Sequence, residues 1–464
     1  MSEESTNREG FFSLKARRAR KAQAAGRLPE LDGLRVLMIA MVAWFHIWQQ
    51  SWVFPDLWHE SWLFPTREAL NNARQWIYYS LGIHPDLYFL PQTGYIWVDG
   101  TILMSVFLLY LPWAKAKRLK TPMPATGDFY FRRARRILPA FYFIILCHLL
   151  IVALPWNLYG SDTPWLVKDL ASHLTFTFTR WQDTYIYTNL GGGAWTVAIL
   201  MQGYLLFPLM ARGVRKHPGW VLGGMLLVCF GYRAFVLWQA ADLNTRYGIY
   251  PNYSMTVNQL VNFLDVYVIG VLAATAFDAI RAKLEAQPES KKHRRIRESV
   301  MTVLFFVSVY LLFRLLQIQG RANETQLQAW QMMYRPLFAL CFAGLILTAP
   351  LALLPLRKLL GNPVTRFLAG VSMNFYLIHQ TVAVHLKSRL MVPYTESFLS
   401  DDFLVDGLYP NQVNDAVWQG QYVWLVTGVS LVMAIAITYL IEKPGARLFD
   451  CIRKKLAARR AEKG

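Results

Sequence analysis

Two ionisable residues share one strongly apolar segment, LDGLRVLMIAMVAWFH, in which Arg35 and His46 stand eleven residues apart. Eleven residues is close to three helical turns, so both side chains fall on one face, roughly 16 Å apart along the axis at ~1.5 Å per residue. Arg35 would sit at a membrane edge and His46 well inside. An imidazole at that depth is costly unless something uses it or satisfies it, so it marks a candidate functional site. The plainer alternative is a histidine that hydrogen-bonds a neighbouring helix.

A second cluster, FYFRRARRILPAFYF, places Arg132, Arg133, Arg135 and Arg136 just before another apolar run, with Pro139 inside it. Arg133 and Arg136, three residues apart, present two planar forks to one side of a helix, a geometry that suits phosphate oxygens. The competing reading is a basic anchor snorkelling to lipid headgroups. VSMNFYLIHQTVAVHL carries Ser372, Tyr376 and His379 at i, i+4 and i+7, with Gln380 beside them. Such a stripe either lines a cavity or forms an interhelical network. GGGAWTVAILMQGYLLFPLM contributes Trp195, Gln202 and Tyr204 to a span, where Gln202 is equally suited to bonding across helices. YLIEKPGARLF reads as a helix stop, with Glu442 and Lys443 as paired charges before Pro444.

The elements that must position these groups are membrane helices. The chain is 55% hydrophobic and 15% aromatic, with apolar runs long enough to cross a hydrocarbon core of ~30 Å. Ten spans are predicted near 34–52, 95–114, 137–156, 192–211, 219–239, 259–277, 299–318, 333–354, 367–386 and 421–441. The fold class is therefore all-α, a polytopic integral membrane protein. Alternating ten-residue strands are absent, and lipid admits only helices or closed barrels.

A net charge of +19 would suggest nucleic acid in a soluble protein, but 37 of the 48 Lys and Arg fall in segments 1–35, 115–136, 212–218, 278–298, 356–366 and 443–464. With ten spans these segments share one face, which the positive-inside rule assigns to the cytoplasm together with both termini. Nucleic-acid binding is an unnecessary explanation. A basic face suits anionic membrane lipids or a phosphorylated cytosolic compound, and charge alone does not choose between them.

Three of the four cysteines, Cys147, Cys229 and Cys341, fall in predicted spans and Cys451 in the basic tail, so no disulfide framework is expected. No zinc spacing is present. The first apolar run follows some thirty polar residues and is long enough to remain a helix, so no cleavable signal peptide is expected. Residues 8–28 suit an interfacial basic helix or a disordered tail equally. The organisation is a basic segment at 1–30, one membrane domain at 31–447 and a basic tail at 448–464. The loop 53–94, with Trp52 just before it, is rich in aromatics (Trp58, Trp62, Phe64, Trp76, Tyr78, Tyr79), compatible with an interfacial belt or with stacking on sugars.

In their order and spacing, LDGLR with a histidine eleven residues beyond its arginine, WVDGTILMSVFLL, FRRARRILP, AWTVAILMQGYLLFPLM, SMNFYLIHQ and YLIEKP resemble the membrane-bound acyltransferase 3 family, over residues 30 to 447. The resemblance implies an enzyme that moves an acyl group, commonly acetyl, from cytoplasmic acyl-coenzyme A to a hydroxyl of an extracytoplasmic glycan or lipid-linked sugar, as in polysaccharide O-acetylation. It implies His46 as general base, Arg35 positioning the donor, and Arg133 and Arg136 holding coenzyme A phosphates. It also implies a pocket lined by Trp195, Gln202, Tyr204, Ser372, Tyr376 and His379. No metal is called for, since a thioester is already activated. The compact layout points to a bacterial inner or plasma membrane.

One departure stands out: where many family members carry acidic residues after the tryptophan of the fourth span, this chain has Leu200 and Met201. Asp99 and Asp265, both within spans, would substitute or would be structural partners for Arg233 or Arg314. The rival from another class is a transporter or flippase of a glycan-linked or acylated lipid, which predicts symmetric halves and paired broken helices that the sequence does not display.

Overall fold

The computed structural model describes residues 27–51, 72, 75–76, 79–82, 89–191, 193–247, 253–287, 289–320, 324–390 and 417–461. Residues 8–26 of the basic segment read as an interfacial helix or a disordered tail, and most of the aromatic loop, fall outside them; Trp76 and Tyr79, which are described, are exposed. Among the described residues there is no strand, and ten helices are long and apolar enough to cross a membrane. They are α1 (Glu30–Ser51), α2 (Gly94–Arg118), α3 (Thr126–Ala153), α4 (Trp195–Lys216), α5 (Pro218–Ala240), α6 (Leu260–Ala286), α7 (Lys291–Gly320), α8 (Met332–Leu351), α9 (Pro363–Lys387) and α10 (Gln421–Arg459). Each overlaps one predicted span. Several run further than predicted at their basic ends, because a helix keeps its backbone bonds as it leaves hydrocarbon and charged side chains there are solvated. The YLIEKP stretch is no stop: the chain continues through a π-helical turn, Thr438–Glu442, into Lys443–Ala461.

Helix α2 is the most enclosed, packed on α1, α6 and α8, while α9 joins α1 to α10. Helices α5 and α7 turn long apolar faces outward, including Leu227, Phe235, Val303 and Phe306, as lipid contact requires. Fold-specific contacts account for several motif residues. Gly33 lets α1 meet the short helix Leu354–Leu360: a Cβ there would lie 2.4 Å from the Leu360 carbonyl oxygen. Beside it Glu30 pairs with Arg357 at 2.9 Å and Asp32 with Arg27 at 2.6 Å. Glu442 accepts a hydrogen bond from Asn374 Nδ2 at 2.7 Å, joining the SMNFYLIH and YLIEKP segments.

The intramembrane carboxylates Asp99 and Asp265 are both paired with arginines. Asp265 pairs with Arg233 at 2.9 Å, both fully buried, with Asn262 Oδ1 accepting from Arg233 Nε at 2.7 Å. Asp99 pairs with Arg335 at 2.8 Å, so its partner is Arg335 and not Arg314. Buried arginine in lipid needs such compensation.

Candidate functional site

Two cavities enter the bundle from opposite faces. The larger, of about 850 Å³, is lined by residues near the ends of spans remote from the basic face: Gln49 of α1, Tyr95 of α2, Trp195 of α4, Gln319 of α7, Arg335 of α8 and Gln380 of α9. His46 is in its wall. The smaller, of about 260 Å³, lies toward the basic face between α1, α2, α3, α4 and α9, and is lined by Arg35, Arg133, Arg136, Leu200, Tyr204, Ser372 and Tyr376. Among the described residues, Tyr376 alone lines both. Its hydroxyl is held by the Gly193 carbonyl at 2.8 Å and Thr196 Oγ1 at 2.7 Å.

The tautomers of the central histidine pair follow from hydrogen bonding. His379 is fully buried, and its Nδ1 lies 2.8 Å from the Tyr376 carbonyl and 3.1 Å from that of Phe375. Carbonyls only accept, so Nδ1 carries the proton and Nε2 is left with a lone pair. That lone pair lies 2.8 Å from His46 Nδ1, which must therefore donate. In the neutral pair His46 is protonated on Nδ1, and its Nε2 is the unprotonated, basic nitrogen. A base oriented by a third group is the recurring arrangement of activated sites. Here the orienting group is a second imidazole.

In the smaller cavity three arginines converge with no acidic residue among the lining side chains. Helical spacing places Arg133 and Arg136 on one side of α3, as the sequence pattern predicts. Of their neighbours, Arg135 pairs with Asp450 at 2.6 Å, and Arg132, exposed as Arg136 also is, does not line the cavity. The Arg133 guanidinium stands 5.8 Å from the Phe129 ring centroid and 5.7 Å from that of Tyr204, with its buried Nε lacking a hydrogen-bond partner. An unpaired donor among three cations suits an anion with several acceptor oxygens. Leu200 faces this cavity and contributes no charge to it; the carboxylates that act on the arginines, Asp32 on Arg35 and Glu442 on Arg136, stand outside its lining.

The predicted site residues therefore divide. Arg35 lines the smaller cavity and His46 the larger, so the two residues of the opening motif serve different compartments of one helix face. Trp195 lines the larger cavity, Tyr204 and Ser372 the smaller, and Tyr376 both. His379 stands behind the wall as the partner of His46. Gln202 lines none of these cavities; its Nε2 donates to the Phe176 carbonyl at 2.8 Å and ties α4 to the loop above it.

Residues that sequence reading did not single out include Trp48, Gln49, Gln92, Asn258, Gln319 and Arg335 in the larger cavity. The available signal was amides near span ends, which single-helix periodicity does not connect. Also missed was Asp169, on the short helix Thr163–Leu174. Fully buried, its carboxylate accepts from Tyr159 Oη at 2.7 Å, Thr188 Oγ1 at 3.0 Å and the Asn189 amide at 3.1 Å. Burial and this carboxylate push the Tyr159 hydroxyl pKa upward. His173, four residues on, bonds the Asp169 carbonyl through Nδ1 at 2.9 Å and stacks on Phe178 with ring centroids 4.1 Å apart. The hub fixes the strap Thr188–Gly191, which forms part of the cavity wall.

Among the described residues no three His, Cys, Asp or Glu side chains gather as metal ligands. Compared with known proteins, the chain matches a family model described as an acyltransferase domain, that of the acyltransferase 3 family, over residues 28–443. No curated protein and no solved structure matches it significantly.

Proposed function

Given that the chain belongs to the acyltransferase 3 family, we propose that this membrane acyltransferase moves an acyl group, acetyl in the first instance, from acyl-coenzyme A at the basic face to a hydroxyl of a glycan or lipid-linked sugar at the opposite face. The observation that carries the reading is the His46–His379 pair, whose tautomers leave a bare imidazole nitrogen on a residue lining the larger cavity.

Arg35, Arg133 and Arg136 would hold the phosphates of the donor, which fits their convergence without a carboxylate in the lining and the unpaired Arg133 Nε. The thioester supplies an acyl carbon that needs no further activation. Tyr376 marks the place where the two compartments meet. His46 Nε2 takes the proton of the acceptor hydroxyl as its oxygen attacks the acyl carbon. His379 Nε2 holds His46 Nδ1–H throughout, and the bond tightens as His46 becomes cationic. When the carbon–sulfur bond breaks, His46 returns the proton to the departing sulfur, so the base is regenerated. The amide and aromatic lining of the larger cavity suits a hydroxyl-rich acceptor with apolar ring faces. The positive-inside rule makes the basic face cytoplasmic, where acyl-coenzyme A is made, so only the acyl group changes sides.

The test is transfer of labelled acetyl from acetyl-coenzyme A in membranes containing the chain, beside His46→Ala at matched level. Label in cell-envelope glycan that the variant fails to transfer supports the reading. Equal labelling by both removes His46 as the base, and no labelling across several acyl donors favours transport without chemistry.

A further inference from the structure

A third cavity, of about 280 Å³, lies beside the larger one, between the outer end of α3 and the last turns of α9. Its volume is roughly that of nine liquid waters at ≈ 30 Å³ each. It shares three lining residues with the larger cavity: Thr188, Gly191 and Gln380. Around it α3 leaves the α-helical pattern for a π-helical segment, His148–Ala153, a distortion that recurs at functional sites.

Several polar groups of this side cavity already have partners. His148 Nε2 lies 3.1 Å from Thr381 Oγ1, and Asn189 donates to the Leu158 carbonyl at 3.2 Å. Gln380, at the junction, differs: its Oε1 is sealed from solvent with no hydrogen-bond partner. A carboxamide oxygen left unpaired inside a membrane bundle is costly, so such groups are ordinarily paired or reserved for a ligand. The chain also makes room for it. Gly193, at φ +82°, faces Gln380: a Cβ there would lie 2.0 Å from Oε1, so only glycine fits both the backbone and the space. Gly191, at φ +104°, does the same beside His148, whose Nε2 would lie 3.1 Å from a Cβ. Gln380 follows His379 directly on α9, which ties it rigidly to the imidazole that orients His46.

We propose that the acceptor site continues past His46 through Gln380 into the side cavity, with the Gln380 carboxamide turning from Gly193 to bond the acceptor between the two. The ligand is then a saccharide chain, one unit presenting its hydroxyl to His46 and the adjoining unit lying against α3 and α9. Gln380 acts as a positioning residue that sets the register of the chain. This rests on the acyl-transfer reading above.

The test uses the full chain in native membranes, acetyl-coenzyme A, and the cell-envelope glycan fraction titrated by hexose content. Gln380→Leu removes the carboxamide at similar volume. Val384→Trp fills the side cavity from a residue that does not line the larger one. Each is expected to raise the acceptor KM at least tenfold with the donor KM within twofold of wild type, and Gln380→Asn to fall between. Thermal unfolding of the purified variants separates these effects from misfolding, and Gln380→Asn and Gln380→Glu serve if the leucine variant does not fold. A wild-type acceptor KM in the Gln380 variants, or in Val384→Trp, overturns the proposal while leaving the role of His46 intact. Absence of His46-dependent transfer by the wild-type chain removes both readings.

Discussion

Replacing His379 by phenylalanine isolates what the second imidazole does for the first. The ring is fully buried, and phenylalanine keeps its planar shape but is the larger side chain, so a packing cost of about 1–3 kcal/mol is expected and the folding control decides whether kcat can be read. What disappears is the acceptor for His46 Nδ1–H, now 2.8 Å away. In the ground state that bond contributes about 0.5–1.5 kcal/mol, as between neutral groups; in the transition state His46 carries positive charge, and the same bond is worth about 1.5–3 kcal/mol. The difference arises only as charge develops, so it falls on kcat. With loss of orientation included, about 1.5–3 kcal/mol at 1.36 kcal/mol per tenfold corresponds to a decrease of about 10- to 150-fold. Removing the base itself, by His46→Ala, should cost about 10²–10⁴-fold. Because the two act as one unit, the double variant should be no slower than His46→Ala alone. His379→Gln, whose carbonyl can accept the same proton, should recover part of the loss. The assay is initial-rate acetyl transfer to the envelope glycan fraction, with thermal unfolding as the control for folding. An unchanged kcat in a folded His379→Phe, or additive losses in the double variant, would refute the assigned tautomers.

Arg133→Ala should raise the KM for acyl-coenzyme A about 10- to 100-fold, since a charge-assisted bond is worth about 1.5–3 kcal/mol; steady-state titration of the donor at fixed acceptor checks this, and an effect on acceptor KM alone would contradict it. Gly33→Ala drives a methyl against the backbone at Leu360, which cannot yield as a side chain can, and is expected to destabilise by about 1–3 kcal/mol, read from thermal unfolding in detergent. Asp99→Ala strands a buried guanidinium and should cost about 3–5 kcal/mol, whereas replacing Asp99 and Arg335 together by apolar residues should restore much of the melting temperature.

Much of this architecture is legible in the linear chain, because in lipid every backbone polar group must be satisfied within the helix. An apolar run of some twenty residues then has one outcome, and the ten predicted spans each coincide with a helix. The pairing of Arg133 with Arg136 on one face is equally local, fixed by 3.6 residues per turn. Helical period also places Ser372, Tyr376 and His379 on one stripe, but periodicity cannot say what a stripe meets. Only packing decides that His379 meets His46, from a helix 333 positions away, and that this contact sets which nitrogen is basic. Gln202 and Glu442 show the same limit: neither its span nor its charged neighbour reveals that one binds the Phe176 carbonyl and the other Asn374. Asp99 was ambiguous for the same reason, since an intramembrane carboxylate must have a partner and the sequence offers several arginines. The partner is chosen by which helices pack side by side, and that choice depends on contacts such as Gly33 against Leu360 that join segments remote in the chain. Local physics thus determines the helices and the faces they present. Tertiary packing determines which faces enclose the two compartments, and which nitrogen of His46 is left basic in the wall of the larger one.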